Sequence, residues 1–391
     1  MRVAGGKIYV LGIPFVEAFA HSCKNRRFSD SFVVQLTAED GTVGYGEGLA
    51  RPYVTGETVA FSVDFVKNEL FPAVVRKDFS PIKTGIDPVE ALREVDESLH
   101  CRNDPAGIVP NAARAAVELA LIDCLLQSRK LSLGAVLPPK RNFVTYSGAI
   151  TGGSVERAVR HARHFRLFGV NQLKIKIGGE GDVDLVGAIR RAVGEGVSLR
   201  VDANGAFSVR AAIELAKRLK PYRIDAFEQP VPPGDPYDLA RVRDSSPIPV
   251  MADESLVTLT DASELIESSA CDLFNLRISK CGGLRQTLAI ARLAERAGIG
   301  RQIGCQVGET AILSAAGRHL AAFSEGVDFV EGSYGDLLLT EDVGRTAVKF
   351  GYGGRAPVLR GVGLGVKVRC EVLEKYASSV IDLKKELVKY A

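Results

Sequence analysis

Lys174 and Lys176 begin a series of side chains whose types and spacing could do acid, base and metal-ligand chemistry. In Gln172-Leu173-Lys174-Ile175-Lys176-Ile177-Gly178, the two-residue period of a strand puts Leu173, Ile175 and Ile177 on one face and both ammonium groups on the other. Taken alone, such a pair is also what a solvated surface strand carries against aggregation. The downstream sequence favours chemistry. Short apolar runs recur, each ending in a polar group and succeeded by a helix-like stretch: Ser198–Val201 ends at Asp202-Ala203-Asn204, Ile224–Phe227 at Glu228-Gln229-Pro230, and Ile248–Ala252 at Asp253-Glu254. Leu273–Ser279 then ends at Lys280-Cys281-Gly282-Gly283, and Ile303–Cys305 leads into Gln306-Val307-Gly308-Glu309. The steps between Lys176, Asp202, Glu228, Asp253, Lys280 and Gln306 are 26, 26, 25, 27 and 26 residues.

A strand, a crossover helix and two loops fill such a step, so the period specifies parallel strands joined by helices. Roughly 200 residues of this alternation close naturally as a (β/α) barrel, whose chemistry sits at the C-terminal ends of the strands. The first third reads differently. Lys7–Leu11, Ser31–Thr37 and the run through the Asp40-Gly41 turn to Glu47 predict a three-stranded antiparallel meander. Two polar loops, Glu17–Phe28 and Gly48–Gly56, are too irregular for a core and are placed for function. Gly44-Tyr-Gly46-Glu-Gly48 opens no helix and lacks the spacing of a dinucleotide loop. From Thr58 to Leu133 the pattern is helical, and Asn111–Leu126, apolar around its circumference, predicts a helix buried between domains. The expected organisation is an α+β capping domain over 1–135, a barrel over 136–348, and a tail over 349–391 that packs back on the cap.

Composition sets bounds. The 391 residues are 46% hydrophobic and 25% charged with a net charge of +3, which gives no bias towards nucleic acid. The absence of a signal-like segment or a membrane-length apolar run predicts a soluble cytoplasmic protein with no membrane partner. Seven cysteines without a Cys-Xaa-Xaa-Cys pair read as reduced core thiols, with Cys281 and Cys305 set apart by their place beside strand ends. Five histidines without a His-Glu-Xaa-Xaa-His pattern give no zinc site.

Lys174-Ile-Lys176, Asp202-Ala-Asn204, Glu228-Gln-Pro230, Asp253-Glu-Ser255 and Lys280-Cys-Gly-Gly283, in this order, resemble the enolase superfamily and within it the muconate-lactonizing subgroup. Gly44-Tyr-Gly-Glu47, Asp123 and Gly363-Leu-Gly365 are also similar to family positions, so the resemblance spans nearly the whole chain. It implies a modified (β/α)7β TIM-type barrel under an α+β cap completed by the C-terminal tail. It further implies removal of the proton α to a carboxylate, with Asp202, Glu228 and Asp253 holding Mg2+, or Mn2+ in its place. Lys176 is then the base on one substrate face, tuned by Lys174, and Lys280 the acid or base on the other; lysine bases beside Mg2+ are general in this superfamily. Like-charge repulsion between Lys174 and Lys176 is expected to favour their neutral forms. Asn204, Gln229 and Glu254 are expected to support these groups.

A His-Asp dyad, as in relatives of mandelate racemase, is not matched: the stretch assigned to the eighth strand, Gly304–Glu309, has no histidine. Dipeptide epimerases of the subgroup carry Asp-Xaa-Asp after that strand to grip an ammonium, and Gln306 and Glu309 stand there instead. Glu309 either binds an amino group or caps the next helix. His21, Lys24, Arg26, Arg27, Arg51 and Tyr53 form a basic set in the capping loops, suited to a second anionic or acyl group or simply solvated. The expected activity is a Mg2+-dependent racemase or epimerase of a small carboxylate, an N-acyl amino acid or dipeptide, in a homo-oligomer. The alternatives are a muconate-type cycloisomerase, an o-succinylbenzoate-type dehydratase, and an idle barrel serving as a binding protein.

Overall fold

The computed structural model describes residues 1–21, 24–100, 107–151, 153–345 and 348–388, except the side chains of 18–21, 24–26 and 387–388. Five amino-terminal strands come first: β1 (Val3–Leu11), β2 (Pro14–His21), β3 (Lys24–Phe28), β4 (Phe32–Ala38) and β5 (Val43–Gly48). β1, β4 and β5 pair antiparallel, as the Asp-Gly turn and the alternation predict. The stretch expected to be an irregular loop is instead a hairpin, with β2 paired to β3 and to no other sheet. Its backbone groups pair with one another, and Phe15 of β2 is buried in the core.

The three glycines of β5 fit a close approach. A Cβ on Gly44, Gly46 or Gly48 would stand 2.4 Å from Ala120 O, 2.0 Å from Ala116 O or 2.4 Å from Ala112 O. Those atoms lie at four-residue intervals on the helix Asn111–Ser128, whose alanines bring its backbone against the strand. The Gly-Xaa-Gly-Xaa-Gly pattern is therefore a helix-docking stripe.

The barrel strands are β7 (Gly148–Ile150), β8 (Gln172–Lys176), β9 (Ser198–Asp202), β10 (Ile224–Glu228), β11 (Val250–Ala252), β12 (Leu273–Leu276), β13 (Gly300–Ile303) and β14 (Val327–Val330), preceded by the short β6 (Phe143–Thr145). They form one eight-stranded sheet in sequence order, with neighbouring strands parallel. Helices join consecutive strands, and Ser147 N–H donates to Val330 O at 2.8 Å, linking the last strand to the first. The architecture is a modified (β/α)7β barrel with an α+β cap. Beyond it, β15 (Arg355–Pro357) pairs with β6, and β16 (Ala377–Asp382) joins the cap sheet against β1, making the expected three-stranded meander four-stranded. Gly304–Glu309 comes after the seventh strand, β13, and not the eighth. The eighth is β14, and Glu331 stands at its end, 25 residues beyond Gln306.

Candidate active site

Register places the site. Lys176 pairs with Asp202 across β8 and β9, and Asp202 with Glu228 across β9 and β10, so their side chains emerge side by side inside one rim of the barrel. Lys176 Nζ donates to Asp202 Oδ2 at 2.6 Å and to Asn204 Oδ1 at 2.7 Å. Lys174, one strand repeat deeper, reaches Glu331 Oε2 at 2.6 Å, Asp202 Oδ2 at 3.3 Å and both Glu228 oxygens at 3.4 Å. Burial alone would lower the Lys174 pKa, but Glu228, Glu331 and Asp202 outweigh it and raise it well above the ordinary value. This corrects the expectation of a neutral Lys174: three acidic neighbours count for more than one lysine. Burial would likewise raise Asp202, yet Lys176 and Lys174 hold its carboxyl well below the usual range.

Glu228 accepts from Asn275 Nδ2 at 2.7 Å, Gln302 Nε2 at 3.2 Å and Arg277 Nη2 at 3.3 Å. Asp253 is held by Arg277 Nη2 through one oxygen and by Lys280 Nζ at 2.9 Å through the other. Asn204 passes a hydrogen bond on to Glu254 Oε1 at 2.9 Å. Gln229 Oε1 accepts from Asp253 N at 2.9 Å and Ser255 N at 3.1 Å, pinning the β10 and β11 ends together. Both Asn204 and Gln229 have positive φ, 46° and 37°, a strained backbone at two points where side chains are aimed at the site.

A cavity of about 480 Å³ opens over this rim and is lined by Lys174, Lys176, Asn204, Arg277, Gln306, Glu309 and Glu331, with Arg51 and Tyr53 from the cap. Gln306 is 3% exposed, and neither polar atom of its side chain has a partner. Glu309 accepts the Gln306 N–H at 2.7 Å, while Thr310 Oγ1 caps the next helix; Glu309 thus closes its own loop. Burial pushes the Glu309 carboxyl up to about 8. Arg51 lines the cavity, but its guanidinium is engaged by Asp30, Ala50 O and Val307 O. His21 and Arg26 fall in β2 and β3, and their side chains lie outside the described residues.

Lys280 does not line the cavity, but its ammonium touches the Asp253 carboxylate of the rim. It is fully buried, and its Nζ is bound by Asp253 O at 2.6 Å, Asn275 O at 2.7 Å and Asp253 Oδ1. The reason is local. Lys280 belongs to a turn that continues through Gly282 and Gly283, both at positive φ, and a Cβ on either would collide with Asn111 Oδ1 (2.7 Å) or Glu118 Oε2 (2.2 Å). Lys280-Cys-Gly-Gly283 is the turn that docks the barrel on the cap helix. Sequence reasoning missed Glu331, Arg200, Asn275 and Arg277. Strand parity would have found Asn275 and Arg277, which share a face two residues apart, and the 25-residue step would have found Glu331.

Among the described residues no three His, Cys, Asp or Glu side chains are gathered as a ready coordination shell. The protein's own cations bridge the carboxylates: Lys174 stands between Asp202 and Glu228, and Arg277 between Glu228 and Asp253. The donor chemistry nevertheless fits a hard divalent ion. Three carboxylates sit on adjacent strand ends, and Glu254 Oε2 is buried without a partner. Burial and neighbouring acids push Glu228 up to about 7 and Glu254 up to about 8, a surplus of negative charge that a divalent cation would relieve.

Residues 157–372 match the family described as Enolase C-terminal domain-like, more than half of the chain. The hydrophobic dipeptide epimerase of Enterococcus faecalis is 33% identical over 335 residues, covering 84% of this chain and 89% of that protein. The dipeptide epimerase of Cytophaga hutchinsonii, solved with Mg and D-Ala-L-Val, superposes with a TM-score of 0.86 at 28% identity, covering 98% and 100% of the two chains. The muconate lactonizing enzyme of Pseudomonas fluorescens, solved with muconolactone, gives 0.86 at 26% identity, covering 96% and 99%. The fold and these likenesses define an isomerase. The chain belongs to the enolase superfamily, in its muconate-lactonizing-like subgroup.

Proposed function

We propose that this chain removes the proton α to the carboxylate of a small molecule in a Mg2+-dependent isomerisation, with Lys176 as the base. The observation that carries the reading is Lys176 itself: its ammonium lies on the cavity wall, held by Asp202 and Asn204 at hydrogen-bond distance from the three-carboxylate rim. Asp202, Glu228 and Asp253 would hold the ion, which when bound supplies positive charge for the substrate carboxylate as negative charge develops there. Lys174, kept charged by its acidic neighbours, adds a fixed cation on the same face. Gln306, with an unpaired amide in the cavity wall, offers both a donor and an acceptor to the rest of the substrate.

Epimerisation of a dipeptide or N-acyl amino acid is supported by the relatives that act on dipeptides. Cycloisomerisation is the second reading, supported by an observation at the eighth strand. The resemblance puts an ammonium grip there, but here the stretch is Glu331-Gly332-Ser333, with Glu331 engaged by Lys174 and Arg200 and Ser333 by Arg318. No free acidic pair stands at that point. Proton NMR in deuterium oxide with Mg2+, using L-Leu-L-Tyr, D-Ala-L-Val and muconolactone as probes, tests the proposal. At least one should lose its α-proton signal, and Lys176→Met should abolish that loss at unchanged melting temperature; exchange surviving in the variant would refute the assignment of the base.

A further inference from the structure

Resting on the reading of the barrel rim as the place where a small carboxylate reacts, we propose that the substrate carries a long apolar tail, joined to its carboxylate end by a polar link such as an amide. The tail lies in a groove left where the barrel has no eighth helix. Each earlier barrel strand is followed by a helix that leads the chain to the next strand. After β14, the described residues form only the four-residue helix Gly335–Leu338 before the turn Tyr352–Gly354. The seam between β14 and β7 is therefore covered by an irregular segment, and the cavity extends along it.

One wall of this groove is the helix Val155–Leu167. Arg157, His161, His164, Phe165 and Phe168 all line the cavity, and their spacing puts them on one helix face. From Arg157 to Phe168 is eleven residues, roughly 16 Å at 1.5 Å per residue. Leu337, Leu338 and Phe350 line the same cavity from the segment after β14. Both ends of the stripe are tied. Arg157 Nη2 donates to Glu17 Oε2 of β2 at 2.7 Å, and Gly353 N–H donates to Phe168 O at 2.8 Å, with the Phe168 ring edge-on to Tyr352, centroids 5.9 Å apart.

Length, polarity and charge decide what fits. The backbone of a dipeptide extends at most about 7 Å, less than halfway along the stripe. Leu337 and Phe168 are 56% and 38% exposed, apolar surface that an occupant of like chemistry would remove from water. Arg157, the one permanent cation of the stripe, is already paired with Glu17, so no fixed charge is left over for an anionic tip. The Gln306 amide and the Ser314 hydroxyl line the same cavity, both buried without a partner, and supply the donors and acceptors that a polar link needs.

The test uses the full chain with Mg2+ and N-acetyl-, N-butanoyl- and N-octanoyl-L-valine as probes. Calorimetric titration of Lys176→Met, which lacks the proposed base, reads affinity alone. A buried methylene is worth about fourfold in affinity, so N-octanoyl-L-valine should bind at least about 100-fold tighter than N-acetyl-L-valine. Adding Phe168→Ser and Leu337→Ser in the same background should bring the two probes within about tenfold. No gain with chain length, or a gain that survives both serines, would overturn the inference. Proton exchange by the unmodified chain, read by NMR in deuterium oxide on the same probes, separates this from the proposed function. Tail-dependent binding without exchange refutes the proton removal and leaves the groove standing, whereas exchange with an affinity indifferent to chain length does the reverse.

Discussion

Replacing Lys280 with methionine separates a structural lysine from a reacting one. The stem volume is kept, and what disappears is an ammonium bound by two backbone carbonyls and one oxygen of Asp253, all buried. Breaking a buried ion pair by removing one partner costs about 3–5 kcal/mol. Asp253 keeps Arg277, so the lower end applies, about 3 kcal/mol. With an unfolding entropy of about 2.1 cal/mol/K per residue over 391 residues, roughly 0.8 kcal/mol corresponds to one degree, and Lys280→Met should lower the melting temperature by about 4 °C. Differential scanning calorimetry reads the shift, and proton exchange on the folded variant reads the chemistry. The expected pair of results is a clear loss of stability with α-proton exchange retained. An unchanged melting temperature with exchange abolished would refute the reasoning and return Lys280 to the reacting atoms.

Two further outcomes stem from the charges. Mg2+ at about one hundred times its dissociation constant should stabilise the chain by about 2.7 kcal/mol, or roughly 3 °C, and Asp202→Asn should remove most of that shift in a thermal titration; an equal shift in the variant would show that the ion binds elsewhere. Glu118, buried on the cap helix, is pushed by burial from its ordinary 4.5 up to about 7. An acid whose folded pKa is raised stabilises most below its unfolded value, and that contribution fades as pH rises through about 7, by up to about 3 kcal/mol. The stability difference between the unmodified chain and Glu118→Gln should therefore move towards the variant between pH 5 and pH 8 in urea melts, and a pH-independent difference would contradict the shift.

The barrel and three strand-end acids were legible because each parallel strand closes its apolar run with a polar group at constant phase. Lys174 and Lys176 were legible as a same-face pair, though not the charge of Lys174, which depends on Glu331 from a strand 157 residues away. Spacing puts Lys280 beside Asp253 but does not foretell the turn that carries it. Past Leu276 the chain turns through two glycines, and the strand phase that carries Arg277 inward no longer governs the residues after it. The hairpin β2–β3 was hidden for another reason: Lys24-Asn-Arg-Arg-Phe28 carries no apolar alternation, so β3 leaves little hydrophobic signature.

The helix Asn111–Ser128 lies against β5 on one side, while on the other its Glu118 accepts the N–H groups of Leu284 and Arg285 and its Asn111 donates to Lys280 O. One rod is thus common to both halves of the molecule, riveted to each by backbone contacts that a hinge would have to shear. The chamber's exposed lip, where Val16 and Tyr53 stand, lies apart from the seam that this rod holds together.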